Sequence, residues 1–186
     1  MYQKFNSNLL FHGCVPMKAN GDFDSVEIMG KSLKGKELLD YIENVAHKAY
    51  FGEQSEETQD AIDLMWYFWA GPKSPLFGKE KAATFERYFV EEKELHKEPK
   101  NPYYTLINEE ETCDKILENF GLEGEDSHII NGHMPVKAKD GESPVKANGK
   151  LIVIDGGFAK AYQSTTGIAG YTLTYNSHGL VLAMNE

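Results

Sequence analysis

Cysteine is scarce in this chain: 186 residues contain two, Cys14 and Cys113, at no spacing that suggests a disulfide framework. Isolated thiols of this kind imply a reducing, cytoplasmic setting. Long apolar runs are missing as well. Although 41% of the residues are hydrophobic, nothing approaches the ~18 consecutive apolar positions of a membrane span, so a chain with one sizeable core and no membrane partner is expected. The first residues lack the charged segment followed by an apolar one that marks a secretory leader, and none is expected. Positive charge is in short supply too. Nineteen Lys and Arg face 29 Asp and Glu, a formal charge of −10, which excludes a broad electrostatic grip on nucleic acid. A few local lysines can still meet a small anion.

What the chain does contain is a pair of histidines in matching settings. His12 lies in Asn8-Leu9-Leu10-Phe11-His12-Gly13-Cys14 and His133 in Ile129-Ile130-Asn131-Gly132-His133-Met134-Pro135. Each ends a short apolar run and touches a glycine. Such a run reads as a buried strand whose last residue emerges at the sheet edge, and the glycine leaves room for something to approach the imidazole. Two such tips can share one metal ion. A hydrogen-bonded structural histidine is the plainer alternative, since the two lie about 120 positions apart and no short ligand spacing joins them. His47, His96, His128 and His178 have no comparable setting and read as structural or exposed.

Hydrophobic periodicity divides the chain into three zones. Residues 7–29 read as strand and loop, with Leu9 to Phe11 and Val26 to Met29 strand-like. From 30 to 121 the period is helical. Ser32 is expected to cap a helix carrying Leu38, Leu39, Ile42, Val45, Ala46 and Ala49 on one face. Ser55, followed by Glu56 and Glu57, opens a second helix that Gly71-Pro72 stops. Asn108 and Glu111 suggest a capping box for a third that ends at Gly121. A shorter helix is expected between Lys79 and Val90. The final third turns to strands at 128–130, 151–154, 170–175 and 180–184, of which Leu151 to Ile154 reads as buried on both faces. The fold class is therefore α/β. Residues 1–29 and 122–186 form the core, and 30–121 a long helical insertion beside the site, of the kind that acts as lid or specificity element.

Further candidates are weaker. Pro16-Met17-Lys18-Ala19-Asn20-Gly21 after His12 is echoed by Pro135-Val136-Lys137-Ala138-Lys139-Asp140-Gly141 after His133 and by Pro144-Val145-Lys146-Ala147-Asn148-Gly149. Lys18 and Lys137 are so placed that they could hold a substrate phosphate as point charges; three solvated loops are the bland reading. Asp155-Gly156-Gly157 offers either amides facing an anion or a plain tight turn. Lys160, Tyr162 and Gln163 follow it as possible pocket-lining residues. The cluster Trp66-Tyr67-Phe68-Trp69 reads as a helix packing face before a sugar-stacking platform. Arg87 reads as a solvated helix charge before a bidentate phosphate ligand.

Longer strings carry a family resemblance. Leu10-Phe11-His12-Gly13-Cys14-Val15-Pro16, Asn131-Gly132-His133-Met134-Pro135-Val136-Lys137, Ile152-Val153-Ile154-Asp155-Gly156-Gly157-Phe158-Ala159-Lys160-Ala161-Tyr162-Gln163 and Thr166-Gly167-Ile168-Ala169-Gly170-Tyr171-Thr172-Leu173 closely resemble the bacterial class III fructose-1,6-bisphosphatase. So do Ser74-Pro75-Leu76-Phe77-Gly78-Lys79, Thr84-Phe85-Glu86-Arg87-Tyr88-Phe89 and Asn101-Pro102-Tyr103-Tyr104, and the resemblance spans nearly the whole chain. It implies part of a calcineurin-like metallophosphoesterase β-sandwich with a dinuclear site at the strand ends. His12 and His133 are then two ligands of one metal, ordinarily manganese (Mn2+). The implied activity is metal-assisted hydrolysis of the 1-phosphate of fructose 1,6-bisphosphate, a step of gluconeogenesis.

The superfamily's other ligands come from Asp-x-His, Gly-Asp-x-x-Asp-Arg-Gly and Gly-Asn-His motifs ahead of the His-Gly tip, and the chain is read as containing none of them. The bridging aspartate and the general acid are thus missing, and no catalytic residue is assigned within the chain. It reads as an internal fragment of a longer enzyme, inactive by itself and prone to self-association through exposed core surface. Two alternatives stay open: a non-catalytic interaction or regulatory remnant, and a phosphatase of the same superfamily acting on another phosphomonoester.

Overall fold

In chain order the elements are β1 (Tyr2–Phe5), β2 (Asn8–Phe11), β3 (Val26–Ile28), β4 (Lys31–Leu33), α1 (Gly35–Phe51), α2 (Glu56–Ala70), α3 (Thr84–Phe89), α4 (Tyr103–Leu106), α5 (Glu110–Asn119), β5 (His128–Asn131), β6 (Val145–Lys146), β7 (Leu151–Val153), α6 (Lys160–Thr166), β8 (Gly170–Asn176) and β9 (Gly179–Asn185). They come from a computed structural model that describes residues 1–156, 160–167 and 170–185. The fold is mixed α/β. Two compact units divide it, one made of Met1 with Cys14–Leu106, the other of Tyr2–Gly13 with the chain from Ile107 onward. The sequence places the boundaries at 29/30 and 121/122. The compact units divide at 13/14 and 106/107, and α5, which packs its apolar face on β5, goes with the sheet.

The sheet unit is centred on three parallel strands. Its order is β1-β2-β5-β7-β6, with β2, β5 and β7 parallel and the edge strands β1 and β6 antiparallel. Parallel strands bury both faces, which is why these segments read as unbroken apolar runs; Leu9, Ile129 and Leu151 are fully buried. Asn6 and Ser7, both at positive φ (47° and 62°), make the two-residue turn between β1 and β2. On α5, Cys113, Ile116 and Leu117 face inward at helical spacing. Phe120 closes the helix end edge-on to Tyr2, with ring centroids 4.8 Å apart. β8 and β9 pair with each other as a separate hairpin.

The other unit packs the β3–β4 hairpin with α1 and α2 around Val26, Ile28, Leu38, Ile42, Val45, Ala61 and Phe68. Ser32 does not cap α1. Met29 and Gly30 take positive φ (51° and 75°) and turn the chain back, so Ser32 lies in β4 opposite Glu27 and the helix starts at Gly35 with no side-chain cap. Ser55 does cap α2, its hydroxyl accepting from the Thr58 amide at 3.2 Å. α5 starts at Glu110 with Glu109 at its capping position, one residue after Asn108. α3 covers only Thr84–Phe89 of the expected span. No described helix is long and apolar enough to cross a membrane.

Four consecutive aromatics cannot share one helix face at 3.6 residues per turn. Phe68 is core, whereas Trp66 and Trp69 stand 68% and 67% exposed with their rings 5.4 Å apart. Packing therefore claims only part of the Trp66–Trp69 cluster.

Arg87 pairs with Glu98 (3.4 Å), which also accepts from Lys79 Nζ (2.6 Å) and the Ala83 amide (2.9 Å). The Ala83 hydrogen bond, then the two cations, hold the Glu98 carboxyl below its ordinary pKa. A carboxyl lowered in the folded state contributes stability above its unfolded value of about 4.3, lost as pH falls through the folded value. Glu98→Gln is therefore expected to lower the urea midpoint at neutral pH, with the gap to the unaltered chain closing in acid below about pH 4.

Candidate metal centre

The parallel register brings three strand ends to one level. Phe11 lies beside Asn131 and Asn131 beside Val153, so His12, Gly132-His133 and Ile154-Asp155 leave the sheet together at its carboxyl edge. That edge is where open α/β sheets present ligand sites. Backbone pairing continues one step beyond the strands: the Gly132 amide donates to His12 O (3.1 Å) and the Ile154 amide to Asn131 O (2.9 Å). The buried Asn131 side chain donates to Gly13 O at 3.2 Å.

His133 then takes a left-handed backbone, φ 67°, a conformation that non-glycine residues adopt at a cost of about 1 kcal/mol or more. Across the tips, its Nδ1 lies 3.0 Å from Nε2 of His12, with ring centroids 4.8 Å apart and planes at 71°. One proton suffices to bridge two neutral imidazoles in this geometry. Moved to the other nitrogen of its own ring, that proton leaves both facing nitrogens as lone-pair donors. Two nitrogens 3.0 Å apart can each sit about 2.1 Å from one ion at an angle near 90°, an octahedral edge; a tetrahedral edge at that bond length is about 3.4 Å. The pair's 3.0 Å separation equals the spacing of two adjacent ligands of a six-coordinate ion. Crowding does not force glycine at position 132, where a Cβ would meet Asp155 Cβ at 3.8 Å and His12 O at 3.9 Å, ordinary contacts.

Among the described residues no group of three or more His, Cys, Asp or Glu side chains is arranged to hold a metal ion. The chain does spell Asp-x-His once, at Asp126-Ser127-His128. It stands at the opposite end of β5 from His133, where His128 Nδ1 pairs with Gly149 O at 3.0 Å and leaves Nε2 as the acceptor nitrogen.

The lysines are exposed. Lys18 belongs to the helical unit, in a turn in which its carbonyl accepts from the Gly21 amide. Lys137 is in the sheet unit, its backbone amide donating to Glu142 (3.0 Å). Lys160 is the first residue of α6. Of Asp155-Gly156-Gly157, the Asp155 carbonyl accepts from the Val136 amide at 2.9 Å. Gly157 and the side chains of Tyr162 and Gln163 lie outside the described residues.

Cys14 opens the helical unit. It is 1% exposed, its amide donates to Pro75 O (2.9 Å), and its thiol faces the Tyr104 hydroxyl. Burial pushes its pKa, and that of Cys113, up to about 12. Thiolate is the reactive form. Native protein at pH 8 is therefore expected to resist iodoacetamide at both positions, and urea-unfolded protein to take up two labels, read by mass spectrometry.

Taken together, the mixed sheet and the imidazole pair at its carboxyl edge define a candidate metal-binding α/β protein. The chain belongs to a family of fructose-1,6-bisphosphatases: the family model described as Firmicute fructose-1,6-bisphosphatase matches residues 1–186. It is 60% identical, over 98% of its length, to the class 3 fructose-1,6-bisphosphatase of Fusobacterium nucleatum subsp. nucleatum, and 57% identical over its whole length to that of Clostridium botulinum (strain Kyoto / Type A2). In each case it covers 28% of the relative, so the chain spans little more than a quarter of the curated proteins it matches. No solved structure matches it.

Proposed function

We propose that His12 and His133 are two ligands of one Mn2+ ion in a fructose-1,6-bisphosphatase of calcineurin-like metallophosphoesterase fold, acting on the 1-phosphate of fructose 1,6-bisphosphate. The observation that carries this reading is the 3.0 Å approach of Nδ1 and Nε2 between tips 121 positions apart, in a chain of this family. When bound, such an ion supplies Lewis acidity toward a phosphoryl oxygen. The chain's own part is to hold two neutral imidazoles at the ion's spacing. Lys18, Lys137 and Lys160 are proposed phosphate contacts, as ammonium point charges. In this reading the carboxylate ligands and the general acid come from the remaining length of the family's proteins. Residues 30–121 are read as a helical insertion of the family fold, and the two buried thiols suit a cytoplasmic enzyme. Tyr175, Val181 and Met184 of the β8–β9 hairpin are about half exposed, which favours self-association of the chain when it is alone.

The experiment is phosphate release from fructose 1,6-bisphosphate with Mn2+. The 186-residue chain alone is expected to give none above buffer. In the Fusobacterium relative, alanine at the positions aligned with His12 and His133 is expected to abolish turnover with the fold retained by circular dichroism. Undiminished turnover there would refute the assignment.

A further inference from the structure

We infer that Asn131 is the positioning residue of the imidazole pair: its carboxamide fastens the His12 tip to the His133 tip and so sets the distance between the two rings. This rests on the reading of the pair as a shared ion site and adds a residue to it. Asn131 ends β5 in a sheet whose neighbouring positions Ile129, Ile130 and Val153 are apolar and buried. A carboxamide 2% exposed among them is costly unless its hydrogen bonds are used. The structure shows the use of its Nδ2 donor. Pairing of β2 with β5 ends at Phe11 and Asn131, and the next carbonyls toward the site are those of His12 and Gly13. The Gly132 amide takes the first (3.1 Å) and Asn131 Nδ2 the second (3.2 Å). The side chain thus adds a rung where the ladder has run out, on the carbonyl that follows His12.

The clamp matters because the other tip is strained. His133 at φ 67° keeps its ring over His12 only while both backbones are fixed. With the Gly13 carbonyl released, the His12 tip loses one of its ties to β5 and keeps the Gly132 amide. Two ligands then lose their preset spacing, as happens when groups that orient metal ligands are removed, at a cost of about 10- to 100-fold in ion affinity.

The test uses the 186-residue chain. Asn131→Leu keeps the branched outline at a somewhat larger volume and loses the donor; Asn131→Asp keeps the shape and puts an acceptor against the Gly13 carbonyl. Cross-ring nuclear Overhauser effects between His12 and His133 are read without metal, and Ni2+, an octahedral ion with affinity for imidazole, is titrated by calorimetry. We expect cross-ring effects in the unaltered chain, their loss in both variants while the amide spectrum stays dispersed, and at least about 10-fold weaker Ni2+ binding. Persistence of the cross-ring effects and of affinity in folded variants would overturn the inference, as would their absence from the unaltered chain. Loss of cross-ring effects on substitution supports the inference even if the unaltered chain binds no Ni2+, a result that would count against the shared-ion reading instead. Should both variants unfold, the Asn131 carboxamide protons of the unaltered chain decide. Slow exchange with solvent supports the staple, and exchange as fast as that of an exposed asparagine overturns it.

Discussion

Alanine at position 12 is expected to weaken Ni2+ binding to the chain by about two orders of magnitude. The second imidazole of a preset pair meets the ion at high effective concentration, and removing either one leaves a single exposed ligand competing with water. Position 133 adds a second expectation of opposite sign. Its φ of 67° suits glycine, so His133→Gly is expected to lose ion binding just as fully while raising the urea midpoint, a gain of about 1 kcal/mol from relieved strain. Calorimetry gives the affinities and urea denaturation the stabilities. A His133→Gly chain that is destabilised would show that the left-handed backbone is not held for the sake of the ring.

The largest loss of stability is expected at Ile129→Ala. Ile129 is fully buried in β5, between Leu9 of β2 and Leu151 of β7 in the parallel register. Truncation removes its burial and leaves a cavity that flanking strands cannot close without losing ladder hydrogen bonds, a cost of about 3–4 kcal/mol. A domain stable by about 5–15 kcal/mol has little margin for that. Ile62→Ala, at a site 40% exposed on α2, is the control and is expected to shift stability by no more than about 0.5 kcal/mol. Urea midpoints of the two variants, measured side by side, check the contrast.

Local features were legible where local physics controls them. The stripe Leu38, Ile42, Val45 of α1 is buried as its spacing requires, and Ser55 makes the capping bond that its place before two glutamates suggests. Errors arose where a competing local signal won. Ser32 follows a Met29-Gly30 pair that turns left-handed, and the hairpin that results takes the serine into β4. α5 begins one residue later than the Asn108 signal places it, a shift that hydrophobic spacing does not resolve. Arg87 reads from sequence as a solvated charge, and its partner Glu98 comes from a turn that only the folded chain brings beside α3.

The sequence by itself determined that His12 and His133 end apolar strands, because a run of Leu, Ile and Phe broken by glycine has few other stable uses. Only the tertiary structure decided that the two rings meet. Their separation depends on the parallel register of β2 and β5, which buried contacts between distant segments set, on the left-handed turn at residue 133, and on the Asn131 bond to Gly13. Each of these joins or orients groups through the packed sheet, and a single stretch of sequence carries no record of a neighbour that arrives 121 residues later.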